Sequence, residues 1–168
     1  MKNFFLNLNN IFNTVFNLIS FPPQIGDKIR VGSNEFSDVF MFSHQFSDAE
    51  ATFVELTTDW GIIRLSPGHY LYADGDVIQA DRVEIGDYLD YLDYLDLDNA
   101  PLSLPTIRVT GIANVRAIGL FNPHTLHGDV IVDGFRTTTY TDAIHPTLAH
   151  ALLAPLRALY QMNVTFGL

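Results

Sequence analysis

Ser66-Pro67-Gly68-His69 sets a hydroxyl three positions ahead of an imidazole. Imidazole titrates near neutral pH, so His69 can both take and give a proton in an acyl-transfer step. Taken alone, the pair is better read as a hydroxyl at a hairpin mouth beside an ordinary, partly buried histidine. His44 follows the apolar run Val39-Phe40-Met41-Phe42. It is either a base directed at water or a solvent-facing residue at a strand end. His124-x-x-His127 has one metal-like spacing, but zinc needs at least three protein ligands and no third neighbour is evident, which favours turn residues. His145 precedes Pro146 and marks a helix entrance, and His150 falls on the packed face of that helix.

Composition removes several kinds of chemistry. The chain has no cysteine, which excludes disulfides, thiolate metal sites and cysteine nucleophiles within these residues without identifying a compartment. Its net charge of −10 repels phosphate backbones and anionic lipid headgroups, an argument against nucleic acid and membranes as partners. No metal site or cofactor is expected. The 168 residues, 48% hydrophobic, suffice for one well-buried core and leave little room for a second domain. Six asparagines interrupt the apolar residues of Met1–Ser20, so the segment has neither the continuous run of a signal peptide nor that of a membrane span. Phe4, Leu8, Phe12, Val15 and Ile19 follow helical spacing, which admits an amphipathic helix, but the preferred reading is a poorly specified leader helix.

After Pro22-Pro23 the texture becomes short runs between turn signals, as in an all-β domain. Asp74-Gly75 and Asp133-Gly134 can supply the positive φ angles of tight hairpins, joining Tyr70–Ala73 to Val77–Ala80 and Val130–Val132 to Phe135–Thr141. Lys28–Val31, Phe36–Phe42, Thr52–Leu56, Ile62–Leu65 and Thr106–Ala117 are further expected strands. Leu148, Leu152, Leu156 and Leu159 predict one helix between Pro146 and Tyr160, kinked or cut short by Pro155. Ile25-Gly26-Asp27-Lys28-Ile29 and Ile85-Gly86-Asp87-Tyr88-Leu89 lie 60 residues apart. Each opens a similar strand–hairpin–strand pattern, which predicts two sub-units related by a pseudo-twofold. The run Asp87–Asp98 repeats with a period of three. It lacks the turn glycine and terminal glutamate of a calcium loop and reads as a solvated hairpin extension.

Four segments, in order, resemble the Hint module of the hedgehog autoprocessing family. They are Ile25–Ile29 followed by Phe36-Ser37-Asp38-Val39; Leu65-Ser66-Pro67-Gly68-His69-Tyr70-Leu71, similar to the family's Thr-x-x-His segment; Ala80-Asp81-Arg82-Val83 running into Ile85-Gly86-Asp87; and Gly128–Gly134 continuing through Ala149-His150 to Arg157. The resemblance implies an all-β, Hint-type duplicated β-module with one C-terminal helix. It also implies self-cleavage: an N-terminal cysteine attacks its own preceding peptide bond and converts it to a thioester, in a single turnover on the chain's own N-terminal flanking polypeptide. His69 would then donate the proton to the departing amide nitrogen, and Ser66 would orient or polarise the scissile peptide.

The chain departs from that pattern in ways that bear on activity. The Cys-initiated strand pair expected before Ile25 has no counterpart in Met1–Gln24. By alignment through Phe36–Phe42, the family's base for sterol activation falls on His44, and a cysteine near the closing strand falls on Thr139. Thr139 lies in Thr137-Thr138-Thr139-Tyr140, a run that strand propensity explains by itself. Only eight residues follow Tyr160, which argues against a sterol-recognition segment and against sterol transfer. The expectation is therefore a leader over 1–24, a Hint-like domain over 25–160 and a tail over 161–168, of a cysteine-type autoproteolytic family but inactive without its cysteine. His44, Ser66, His69 and Thr139 are the candidate catalytic residues, with His69 and Thr139 facing a common centre. The alternatives are a non-catalytic Hint-fold interaction protein, and a small metal-dependent hydrolase built on His69, His124 and His127.

Overall fold

A computed structural model describes residues 23–92 and 105–162. The leader helix expected over Met1–Ser20 and most of the acidic run after Leu92 lie outside these described residues. The described residues form nine strands: β1 (Lys28–Arg30), β2 (Phe36–Thr58), β3 (Ile62–Leu65), β4 (His69–Ala73), β5 (Asp76–Gln79), β6 (Tyr88–Asp90), β7 (Thr106–Thr125), β8 (Asp129–Val132) and β9 (Phe135–Thr141). Two short helices follow, α1 (Pro146–Leu152) and α2 (Ala154–Gln161). The strands make one sheet in the order β1-β2-β7-β6-β4-β9-β8, with β3 on β2 and β5 on β4. Its end strands β1 and β8 return into contact, so the sheet curls almost closed around the core. Ile29, Leu56, Ile63, Leu71, Val109 and Phe135 fill that core and are essentially inaccessible.

The repeated Ile-Gly-Asp segments occupy equivalent places, atom for atom. Gly26 donates its N–H to Val39 O (2.8 Å), and the Val39 N–H returns to Asp27 O (2.8 Å). Gly86 and Val109 do the same: Gly86 N to Val109 O is 2.9 Å, and Val109 N to Asp87 O is 2.8 Å. The aspartate of each copy also caps its own turn, Asp27 Oδ2 accepting from Gln24 N and Asp87 Oδ2 from Glu84 N, both at 2.8 Å. Both glycines sit at positive φ, +95° and +112°, which side-chain-bearing residues avoid. One copy thus delivers the chain to β1 against β2, the other to β6 against β7, and β2 pairs with β7. The pseudo-twofold expected from the repeat is present in the hydrogen bonding.

Two expectations change in the strands. Phe36–Phe42 and Thr52–Leu56 belong to one strand, β2, of 23 residues. Thr106–Ala117 extends to Thr125. Gly119 and Pro123 look like breakers, yet β7 passes through both because its pairing with β2 is bulged there, with register shifts at Phe46/Glu50 and Phe42/His44. Gly119 takes φ +102° inside the first irregularity, and Pro123, which has no N–H to give, sits at the second. The single helix divides at Leu153 (φ −83°, ψ −2°), just before Pro155, which cannot donate the hydrogen bond that would continue α1. Leu148, Leu152 and Leu156 remain exposed on these helices.

Among the described residues the helices are tied to the sheet at two points: Tyr160 of α2 donates through Oη to Asp38 Oδ2 of β2 (3.4 Å), and the tighter tie lies in α1. Tyr140 Oη and His150 Nδ1 are 2.6 Å apart, and both lie against Gly128, whose φ is +97°. A Cβ at position 128 would lie 2.8 Å from His150 Nδ1 and 3.2 Å from Tyr140 Oη. Gly75, at φ +83°, faces open space. Gly128→Ala is therefore expected to lower stability by about 3 kcal/mol, strain and displaced contacts together. Gly75→Ala should cost about 1 kcal/mol from its dihedral alone. Urea unfolding of both variants measures the difference; equal losses would show that the contact of Gly128 with Tyr140 and His150 carries no weight.

Candidate active site

His44, Ser66 and His69 come from two separate parts of the chain and line one cleft of about 360 Å³. A tight turn delivers the latter two: His69 N donates to Ser66 O (2.9 Å) across Pro67-Gly68, and Asp81 N anchors the turn through Pro67 O (3.0 Å). His44 arrives along β2 at the register shift next to Phe42, where it pairs with Asn122 of β7. A bulge turns a side chain away from the regular alternation, and here it leaves His44 and Asn122 lining the same cleft. Asn122 donates through Nδ2 to Ser43 Oγ (2.8 Å), and His44 Nδ1 lies 3.2 Å from the same hydroxyl.

His69 opens β4 opposite Thr141, while two residues later Leu71 faces Thr137. The extra residues of β9 bulge outward, and the Thr138 carbonyl that this frees from the ladder accepts a hydrogen bond from His69 Nε2 (2.7 Å). The Thr138 hydroxyl holds the bulge closed, donating to Tyr70 O (3.3 Å) and accepting from Tyr140 N (3.1 Å). A carbonyl can only accept, so Nε2 carries the proton of the neutral ring and Nδ1 is the nitrogen free to handle protons. Burial lowers the His69 pKa below the usual imidazole range, and the bond to Thr138 opposes that shift only in part. The side chain is a neutral base held in one tautomer.

Thr139 stands elsewhere. It is fully buried, its N–H and hydroxyl both given to Gly128 O (2.8 and 3.2 Å), and it is not among the residues that line the cleft with His69. Its place is the joint between the β8–β9 hairpin and the helices. His145 occupies the N-cap position of α1, without a side-chain capping hydrogen bond, where its place before Pro146 suggested a helix entrance. Asn122, Thr141 and Asp142 also line the cleft, and reading the chain residue by residue missed them, because their approach depends on the bulges in β7 and β9.

His124 departs most from expectation. It is a strand residue of β7, not a turn residue, buried between Phe40 and Tyr140 with ring centroids at 6.4 and 5.7 Å. Its Nδ1 has no hydrogen-bond partner among the described residues. Desolvation first, then the neighbouring His69 and His44, lower its pKa to about 4. His127 lies instead beside Asp129, Nδ1 to Oδ2 3.7 Å. Among the described residues no group of three or more His, Asp or Glu is placed to hold a metal ion, so the hydrolase arrangement of His69, His124 and His127 does not form.

Comparison with known proteins gives this cleft its context. A family model described as the Hint module matches residues 24–168. The chain belongs to the Hint family. It is 32% identical over 151 residues to protein hedgehog of Drosophila pseudoobscura pseudoobscura and 29% identical over 150 residues to that of Drosophila virilis, each match covering 83% of this chain and 30% of the relative. Warthog protein 1 of Caenorhabditis elegans is 27% identical over 140 residues, 77% of this chain and 27% of that protein. The chain thus spans about a third of the length of these hedgehog-type relatives. Among solved structures, Ssp DnaB mini-intein variant M86 superposes with a TM-score of 0.55 at 12% identity, over 68% of this chain and 77% of that one. The gp41-1 intein gives 0.53 at 13% identity, over 69% and 82%. These likenesses establish the Hint fold, all-β with a duplicated plan.

Two buried imidazoles make the Hint domain sensitive to acid. In the folded chain His124 is shifted from the ordinary 6.5 to about 4 and His69 is also lowered, whereas on unfolding both regain the ordinary value. Between roughly pH 4 and 6.5 the unfolded chain binds more protons, so stability is full above that window and falls as pH drops through it. For His124 the loss is about 3 kcal/mol, at about 1.4 kcal/mol per unit. Urea unfolding at pH 7.5, 5.5 and 4.5 should show this decline, and His124→Leu should flatten it. Parallel profiles for the two proteins would mean that His124 is not held neutral by the fold.

Proposed function

We propose that this chain is a hedgehog-type autoprocessing module whose substrate is polypeptide joined to its N-terminal side, and that these 168 residues do not cleave themselves. The observation that carries the reading is His69, neutral, buried and locked through Nε2 onto the Thr138 carbonyl, with Ser66 in the same cleft. An upstream cysteine would give its thiol proton to His69 Nδ1, and its sulfur would attack the preceding carbonyl carbon. The C–S bond forms, the C–N bond breaks, and the same imidazole returns the proton to the departing amine nitrogen. Ser66 orients the scissile peptide. His44 at the cleft mouth takes the proton of whatever resolves the thioester. The working module is residues 25–160, with 1–24 as a leader and 161–168 as a tail.

The absence of any cysteine from the chain supports the inactive reading, because a hydroxyl without an activating base is a much poorer nucleophile than a thiolate. The same absence favours a second reading, a Hint-fold protein that binds a partner without catalysis.

Mass spectrometry of the purified 168-residue chain, with and without a strong thiol, is expected to show no cleavage. The chain extended upstream by a Cys-initiated strand pair and a reporter should cleave at that cysteine. His69→Ala should then lower the thioester rate at least about 100-fold, the usual worth of a positioned acid–base group. Cleavage of the unextended chain would overturn the inactive reading, and undiminished thioester formation in the His69→Ala variant would remove His69 from the mechanism.

A further inference from the structure

Among the cleft side chains that have no part in that scheme is a carboxylate. Asp142, just past β9, is the one carboxylate among the described residues that line it. No described residue gives it a hydrogen bond or an ion pair. The turn before His69 makes room for it: a Cβ at position 68 would lie 2.7 Å from Asp142 Oδ2 and closer still to Cγ. A glycine gap therefore seats the carboxylate one residue from the proton-handling imidazole. The remaining walls are Phe53, Leu120 and Phe121 on one side and the His44 ring at the mouth. A carboxylate beside an apolar wall complements a cation with a short hydrocarbon tail, and the net charge of −10 draws such a cation in.

We propose that this cleft binds a primary alkylammonium through Asp142 and presents it, after His44 takes a proton, as the acyl acceptor. The step balances with two protons leaving the nitrogen: the ammonium gives the first to His44, which passes it to water; the amine nitrogen then attacks the carbonyl carbon of the cysteine thioester, a C–N bond forms and the C–S bond breaks, and the second proton passes through His44 to the sulfur, which leaves as a thiol. The products are an amide of the upstream polypeptide and free cysteine. The acceptor role rests on the autoprocessing reading; the ammonium site itself does not.

The isotope-labelled 168-residue chain is titrated with n-propylammonium chloride at pH 7.5 and constant ionic strength, with 1-propanol as the uncharged isostere, and followed by NMR. Saturable shifts at His44, His69 and Asn122 are expected with the ammonium and not with the alcohol. D142N should weaken binding about tenfold, the scale of one charge-assisted contact. G68A should weaken it similarly with the carboxylate retained, because the added methyl meets only a side-chain end and turns it away from the cleft. Equal response to both probes, or D142N binding as tightly as the parent, overturns the site. In the chain extended with its cysteine, propylamine should yield the amide by mass spectrometry, and the amide-to-acid ratio should fall in D142N. Thioester formation without amide, under saturating propylammonium, overturns the acceptor role; absence of the thioester itself, with binding intact, instead overturns the autoprocessing reading.

Discussion

The pairing of β2 with β7 holds the module together. It runs from Val39 opposite Thr125 to Thr58 opposite Val109, and each Ile-Gly-Asp turn is hydrogen-bonded to one of its two strands, at Val39 and at Val109. The duplicated halves therefore meet as two arms of a single ribbon, and a change in its register would displace both turns together. A slip of one residue would also send every buried side chain of β2 to the opposite face. Leu56, Ile63 and Val109 could not then share a core. The ribbon tolerates its irregularities because they fall where breaks in the ladder cost little: at Gly119, which accepts a left-handed backbone, and at Pro123, which has no N–H to leave unpaired.

The cleft is built at the expense of that regularity. The bulge near His44 and the one after Thr137 take residues out of alternation, and each supplies something a flat ladder would not: a ring lining the cleft in one case, a carbonyl that accepts from His69 in the other. Burial then determines the chemistry of the captured ring. Desolvation outweighs the bond to Thr138, so His69 is a base at neutral pH and becomes an acid only after it has taken a proton. That order of events suits a reaction in which one proton is first removed from a nucleophile and then passed to a leaving group.

Much of this was legible residue by residue. Asp74-Gly75 and Asp133-Gly134 turn as their types require, with Asp74 and Asp133 at φ +52° and +50°. The Ile-Gly-Asp repeat revealed the duplication, and Ser66 and His69 sit together because only a two-residue turn separates them. What stayed hidden depends on pairing between distant segments. Gly119 and Pro123 are strand breakers by local propensity and strand residues by virtue of their partners in β2, which concealed the second half of β7 and with it Asn122 and His124. Asp142 is invisible for the same reason: nothing near it in sequence indicates that the turn at Gly68 lies against it. Thr139 shows the converse limit, since alignment to a family position says nothing of where its hydroxyl is already committed, here to Gly128 O.

The partner that sets the tautomer of His69 is a backbone carbonyl. Every amino acid at position 138 carries the same oxygen, so a substitution there reaches the orientation of His69 only by way of the hydroxyl that holds the bulge closed. An orienting carboxylate, by contrast, can be lost in a single codon change. The orientation of the acid–base group is thus encoded in the path of the main chain and not in the identity of a neighbouring side chain.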